Sequence, residues 1–213
     1  MAFIQGDCLQ VMQTFSDRQF DYGFTSPPYN RKRNDKYEKY DDTLDDYYSF
    51  LCSFTDELKR ICSKGFFVNV QKNYYNKAEV LKYMGNYADD IQEIIIWEKT
   101  NPMPASGKNI TNAWEFFLYF SDKPLKAKHT YTKNIISTSV NSKMPKEHKA
   151  VMKQDVADYF VSEFFEEGSS VIDCFGGLGT TEIACLRHGM KCTSIELQPT
   201  YIAIAEERIR AES

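Results

Sequence analysis

"Ser169-Ser170-Val171-Ile172-Asp173-Cys174-Phe175-Gly176-Gly177-Leu178-Gly179-Thr180-Thr181" runs from a short apolar stretch, through three glycines, into two threonines that open a helical pattern. Residues 169–174 read as a buried strand and 180–189 as a helix. Glycines between them let backbone approach a ligand closely, and the helix N-terminus offers unpaired N–H groups with partial positive charge. The loop is no P-loop, because Gly-Lys-Ser/Thr is missing. It is no dinucleotide loop either, because G-x-G-x-x-G counted from Gly177 ends on Glu182. Asp173 at the strand end would repel a pyrophosphate but suits an ammonium group. The following strand, 191–196, ends in Glu196, 23 residues after Asp173, where an acid accepts hydrogen bonds from ribose hydroxyls in βαβ nucleoside sites. The pattern asks for a ligand with a ribose, a carboxylate and an amine, and S-adenosylmethionine has all three.

Working outward, residues 20–25 alternate as a strand. Helical spacing covers 43–63, with Thr43 as N-cap, Asp45 and Asp46 in the first turn and Gly65 as the stop. A buried strand follows at 66–70, a helix at 76–87, a strand at 91–98, a loop at 101–109 and a strand at 115–120. Residues 123–153 are polar without a sustained period; eight lysines there face one acid, Glu147. A helix at 153–165 leads into the glycine-loop strand, and a last helix runs from Thr200 to about Ala211. Alternating strands and helices predict an α/β fold, a mostly parallel Rossmann-like sheet with helices on both faces. The expectation is one domain, 1–213, carrying a basic insertion at 123–153.

With 42% hydrophobic and 26% charged residues, the 213-residue chain has the composition of a globular protein. Its aromatic share of 15% points to a ring-rich core. A net charge of −4 gives no global sign of nucleic-acid binding, so that reading rests on local clusters. The six cysteines form no C-x-x-C pair, which predicts reduced core residues and no metal site. The N-terminus lacks a signal-peptide pattern and no apolar run is long enough for a membrane span, so a cytoplasmic location is expected.

Early in the chain stands "Phe20-Asp21-Tyr22-Gly23-Phe24-Thr25-Ser26-Pro27-Pro28-Tyr29-Asn30", a strand running into a rigid turn that holds a hydroxyl beside a ring. Ser26-Pro27-Pro28-Tyr29 together with DCFGGLGTT, in this order, resembles the β-type DNA amino-methyltransferases, over nearly the whole chain. The resemblance implies a methyltransferase fold with permuted motif order and methyl transfer from S-adenosylmethionine to an exocyclic amine of a flipped base in double-stranded DNA. That amine is a poor nucleophile because its lone pair is delocalised into the ring. Ser26 and the Pro27 carbonyl can accept its two N–H groups and turn the lone pair outward, the prolines holding the turn at little reorganisation cost. Tyr29 can stack on the extruded base. Serine at position 26 and His148-x-Ala-x-Met152 lean towards the N4 of cytosine, with the N6 of adenine as the alternative. Methylation at cytosine carbon 5 is excluded, because no proline precedes a cysteine. An RNA or protein amide methyltransferase, a non-catalytic nucleic-acid-binding protein and a nucleotide-dependent oxidoreductase are the remaining rivals. Motif order opposes the first, the intact motif residues the second and the failed dinucleotide pattern the third.

The resemblance also places Asp7 and His148 beside the cofactor, although Asp7 equally suits an N-cap for the helix after it. The expected cofactor set is therefore Asp7, His148, Asp173, Phe175, Gly176, Gly177, Gly179, Thr180, Thr181 and Glu196. Asn101, in a segment that with Trp114-Glu115-Phe116 resembles the family's base-pocket lining, can bond a base edge. Arg31, Lys32 and Arg33 follow the proline turn, and Lys126, Lys128, Lys133 and Lys143 lie in the basic insertion; both clusters are expected to meet DNA phosphates. The shortness of the insertion leaves room for a homodimer, which the family resemblance allows.

Overall fold

The computed structural model describes residues 2–31, 43–105, 107–140 and 151–212. Among them eight strands form one sheet: β1 (Ala2–Gln5), β2 (Phe20–Thr25), β3 (Cys62–Val70), β4 (Ile91–Lys99), β5 (Trp114–Phe120), β6 (Ile135–Thr138), β7 (Ser170–Asp173) and β8 (Lys191–Glu196). Their spatial order is β1-β8-β7-β2-β3-β5-β4-β6, and only β5 runs against the rest. The carboxyl ends of seven strands therefore share one end of the sheet with the start of β5.

Six helices connect them: α1 (Cys8–Met12), α2 (Tyr47–Ile61), α3 (Lys77–Asn86), α4 (Gln154–Phe164), α5 (Thr180–Arg187) and α6 (Pro199–Glu212). α2 buries Tyr47, Leu51, Phe54, Leu58 and Ile61, a helical stripe that packs with α1 and α3 on one face of the sheet. α4 and α5 cover the other face. There Phe24 stacks on Phe117 at 5.6 Å, Phe117 meets Phe160 at 4.1 Å, and Tyr22 stacks on Phe165 at 4.3 Å. The high aromatic content is thus core, as its abundance predicted. All six cysteines are free thiols, five of them buried.

The two sequence motifs lie far apart in the chain and side by side in space. β2 pairs with β7, Tyr22 opposite Val171 and Gly23 opposite Ile172. From β2 the chain passes through α2 on one face to β3, and from β7 through α5 on the other face to β8. The chain thus departs in opposite directions from two adjacent strands, which opens a crevice at their carboxyl ends, the usual place for a ligand in open α/β sheets.

The structure corrects several local expectations. α2 begins four residues after Thr43, and its N-cap is Asp46, which accepts from the Ser49 N–H at 3.0 Å. The helix ends at Ile61, and Gly65 lies inside β3 at φ +139°, where a Cβ would sit 2.8 Å from the Phe120 carbonyl oxygen of β5. Close approach of the two strands explains that glycine better than helix termination. The stretch 123–153 is not wholly irregular either: Ile135–Thr138 joins the sheet edge in parallel with β4. The sequence pattern does not predict the N-terminal strand β1; it forms because β8 offers it an edge, pairing Ala2–Gln5 with Thr193–Glu196.

Candidate active site

The cofactor end is built around Asp173, which is buried. One carboxylate oxygen accepts from the Thr25 hydroxyl at 2.8 Å and the Phe175 N–H at 3.0 Å; the other accepts from the Thr181 hydroxyl at 2.6 Å. The Thr25 oxygen in turn accepts from the Cys174 N–H at 3.2 Å. Burial pushes the Asp173 carboxyl above the usual range, and its hydrogen bonds pull it back towards ionisation. Asp173 and Thr181 thus clamp the loop to β2. Phe175 packs against Phe50 and Phe54 of α2.

Glu196 holds the other side of the loop: its oxygens accept from Gly177 N–H at 2.9 Å and Gln198 N–H at 2.8 Å. Burial raises its pKa as well. The glycines have separate reasons. Gly177 and Gly179 adopt positive φ, +49° and +77°, while a Cβ on Gly176 would lie 2.8 Å from that of Ser194. Asp7 caps α1 through the Gln10 N–H at 3.1 Å, and its neighbour Gly6 bonds the Glu196 carbonyl, which puts Asp7 at the same end. The donor set fits S-adenosylmethionine. Two carboxylates stand at the ends of adjacent strands, beside the N-terminus of an eight-residue helix. The buried Thr180 hydroxyl in that helix's first turn has no partner among the described residues.

The base end grows from the proline turn. Tyr29 donates its hydroxyl to Asn69 Oδ1 at 2.5 Å, and Ser26 donates to the same oxygen at 3.1 Å. The Asn69 amide is held by its own donation to the Phe116 carbonyl. Glu115 Oε2 lies 3.1 Å from the Tyr29 hydroxyl; its Oε1 accepts from Gln71 Nε2 at 3.0 Å and pairs with the Lys99 ammonium. Arg31 donates to Gln71 Oε1 at 2.5 Å and lies over the Tyr29 ring. Asn73 and Asn76 both donate to the Tyr29 carbonyl, which locks the turn in place. Burial, then the Glu115 charge, pushes the Tyr29 hydroxyl far above its usual pKa, so it stays protonated and acts as a donor. With its hydrogen directed to Asn69, Ser26 presents lone pairs outward, the orientation needed to accept from an amine.

The predicted residues therefore divide. Ser26, Pro27, Pro28, Tyr29 and Arg31 gather at one side of the crevice, and Asp7, Asp173, Phe175, Gly176, Gly177, Gly179, Thr180, Thr181 and Glu196 at the other. Asn101 lies at this end, but its side-chain Oδ1 already accepts from the Val140 N–H at 2.6 Å. Lys126, Lys128 and Lys133 do not flank the crevice. They lie between the end of β5 and the start of β6, towards the opposite end of the sheet, and Lys128 donates to Ser162 near the C-terminus of α4. Lys32, Arg33, Lys143 and His148 fall outside the described residues. Sequence reasoning missed Thr25, Asn69, Gln71 and Lys99. Asn69 and Gln71 carried a signal, as polar residues two apart at the end of an otherwise apolar strand.

The pattern of the N6/N4 DNA methylase family matches residues 20–207. The chain is 26% identical to the type II methyltransferase M.HinfI of Haemophilus influenzae over 98% of its own length and 68% of the relative's. It is 28% identical to M.MwoI of Methanothermobacter wolfeii over 83% of its own length, which spans only 29% of that larger protein. Among solved structures, the cytosine-N4-specific PvuII DNA methyltransferase superposes with a TM-score of 0.79 at 19% identity, over 99% of this chain and 90% of that one. At that identity the likeness concerns the fold.

Proposed function

This chain belongs to the N6/N4 DNA methylase family, S-adenosylmethionine-dependent enzymes, and we propose that it methylates the N4 of cytosine in double-stranded DNA. The observation that carries the reading is the 2.8 Å bond between Thr25 and Asp173, which sews the proline turn to the glycine loop across 148 residues of sequence. Cofactor loop and base pocket thereby share one crevice, as a direct transfer between two bound molecules requires.

When bound, S-adenosylmethionine supplies an electrophilic methyl group. Glu196 holds the ribose hydroxyls, and Asp173 fixes the loop while adding negative charge near the ammonium group. Ser26 and the Pro27 carbonyl accept the two N–H groups of the base amine, so that its lone pair is turned out of the ring plane. Tyr29, pinned by Asn69 and Glu115, stacks on the base. The arrangement works by positioning, because Asp173, Glu196, Ser26 and Tyr29 are each hydrogen-bonded within the protein before substrate arrives.

Cytosine is favoured by serine rather than aspartate at position 26, through the family resemblance, and by the cytosine-N4 specificity of the PvuII enzyme whose fold this chain shares. Arg31 contributes phosphate contact at the crevice. Lys126, Lys128 and Lys133 serve DNA only if the duplex extends beyond the sheet end that carries the site. The test is transfer of labelled methyl to mixed-sequence duplex DNA, followed by mass spectrometry of the digested nucleosides. N4-methylcytosine is expected. N6-methyladenine would reassign the base, and label on RNA or protein but not DNA would overturn the substrate.

A further inference from the structure

Resting on that reading, two exposed apolar side chains on a loop beside the pocket acquire a role. Residues 100–113 connect β4 to β5 at the site end of the sheet, and the strands they join end in two pocket residues, Lys99 and Glu115. The loop is braced at its base. Lys99 N–H donates to the Ala113 carbonyl at 2.7 Å, Ala105 N–H to Thr111 Oγ1 at 3.1 Å, and Asn112 Nδ2 to the Lys72 carbonyl at 3.0 Å. Pro102 and Pro104 restrict it further. From this braced support Met103 and Ile110 stand 82% and 95% exposed.

Large apolar side chains held in water on a braced loop cost hydration free energy, and their place beside a site marks it as a contact surface. The charge around them says which partner. Residues 100–113 contain Lys108 and no acid, and residues 71–78 contain Lys72 and Lys77 and no acid. Tyr74, 80% exposed, lies there with Lys77 over its ring at 5.5 Å. Apolar tips with cationic surroundings match the stacked bases and phosphates of a nucleic acid. Extruding a base leaves a gap in the stack, and apolar wedges between base steps are the common means of opening and filling one.

We propose that Met103 and Ile110 enter the base stack of bound duplex DNA next to the extruded base and hold the opened step apart. The role depends on place, not exposure: Tyr131 is 97% exposed but lies towards the opposite end of the sheet, with no part in the wedge.

The experiment compares the unaltered protein, the double variant Met103→Ala/Ile110→Ala and the control Tyr131→Ala. The probes are a duplex containing the sequence that the unaltered protein methylates, and the same duplex with a mismatch opposite the target base. The double variant is expected to lose on the order of tenfold or more in kcat/KM on the paired duplex, to recover most of it on the mismatch, and to bind S-adenosylmethionine unchanged. Tyr131→Ala is expected to match the unaltered protein on both. Equal rates of double variant and unaltered protein on the paired duplex overturn the wedge, as does an equal loss on both duplexes. A loss that tracks dissociation of a dimer in sedimentation overturns it in favour of contact between two copies. Unaltered protein that methylates no duplex at all overturns the functional reading, and the wedge with it.

Discussion

At the glycine loop, Asp173 finds Phe175 two residues away and Thr181 eight away, and Glu196 finds Gln198 two away and Gly177 19 away; Thr25, 148 away, ties Asp173 to β2. In the base pocket, Tyr29 finds Asn69 40 residues away and Glu115 86 away. Both regions are polar, partly buried and anchored before any ligand binds. They differ in what anchors them. The loop draws mainly on contacts its own turn brings together, whereas the pocket exists only once β2, β3, β4 and β5 have paired. Damage to the pocket should therefore reach the fold, and damage to the cofactor side should stay with the ligand.

The largest expected effect tests the pocket's dependence on the sheet. Glu115→Ala leaves the partly buried Lys99 ammonium without its carboxylate and takes acceptors from Gln71 and Tyr29, and a loss of about 3 kcal/mol in urea unfolding is expected. A loss below about 1 kcal/mol would show that the pocket is not part of the structural framework. Next comes Tyr29→Ala, which removes the stacking ring. Single-turnover methyl transfer is expected to fall by roughly 10- to 100-fold, from the 1–3 kcal/mol of a base–aromatic stack. Equilibrium dialysis of S-adenosylmethionine should show unchanged affinity; if affinity falls in parallel, the two halves of the crevice are not separable.

On the cofactor side, Glu196→Ala is expected to weaken S-adenosylmethionine binding about tenfold, as befits a charged hydrogen-bond acceptor. Its stability loss should stay within about 1 kcal/mol, since the carboxylate only bridges Gly177 and Gln198. Unchanged cofactor affinity would remove the ribose role.

The smallest effect concerns pH. Glu182, fully buried in the first turn of α5, has neither oxygen bonded among the described residues. Burial first, with the neighbouring Cys192 and Asp173 adding to it, pushes its pKa far up. A carboxyl raised by folding favours the folded state when protonated. Its contribution is full below the unfolded value of about 4.3 and is lost as pH rises towards the folded value. Glu182→Gln cannot titrate, so the variant should gain on the unaltered protein between pH 5 and pH 6, by at most about 1.4 kcal/mol. The same stability difference at both pH values would mean that Glu182 does not titrate with folding.

Local pattern was enough for the strand at 20–25, the helix at 76–87, the glycine loop and both motif sites, because each depends on periodicity, turn chemistry or residues a few places apart. It located Ser26, Tyr29, Asp173 and Glu196 for the same reason. It misjudged α2's cap, since Thr43 and Asp46 both have the chemistry of an N-cap and only packing selects one. β1 and β6 carry four residues each and little alternation, so their strand character comes from edges that β8 and β4 present. Composition marked the lysines of 123–133 as DNA-facing, but the chain's path from β5 to β6 carries them towards the other end of the sheet.

The sequence by itself thus determined the class of protein, the order of its motifs and the residues that make up those two motifs. Only the tertiary structure decided that β2 and β7 are neighbours, and with it the crevice, the Thr25–Asp173 bond and the Asn69–Glu115–Lys99 support beneath Tyr29. The reason is physical. Strand adjacency is settled by burial of faces contributed by the whole chain, and no local run of residues encodes which strand will lie beside it.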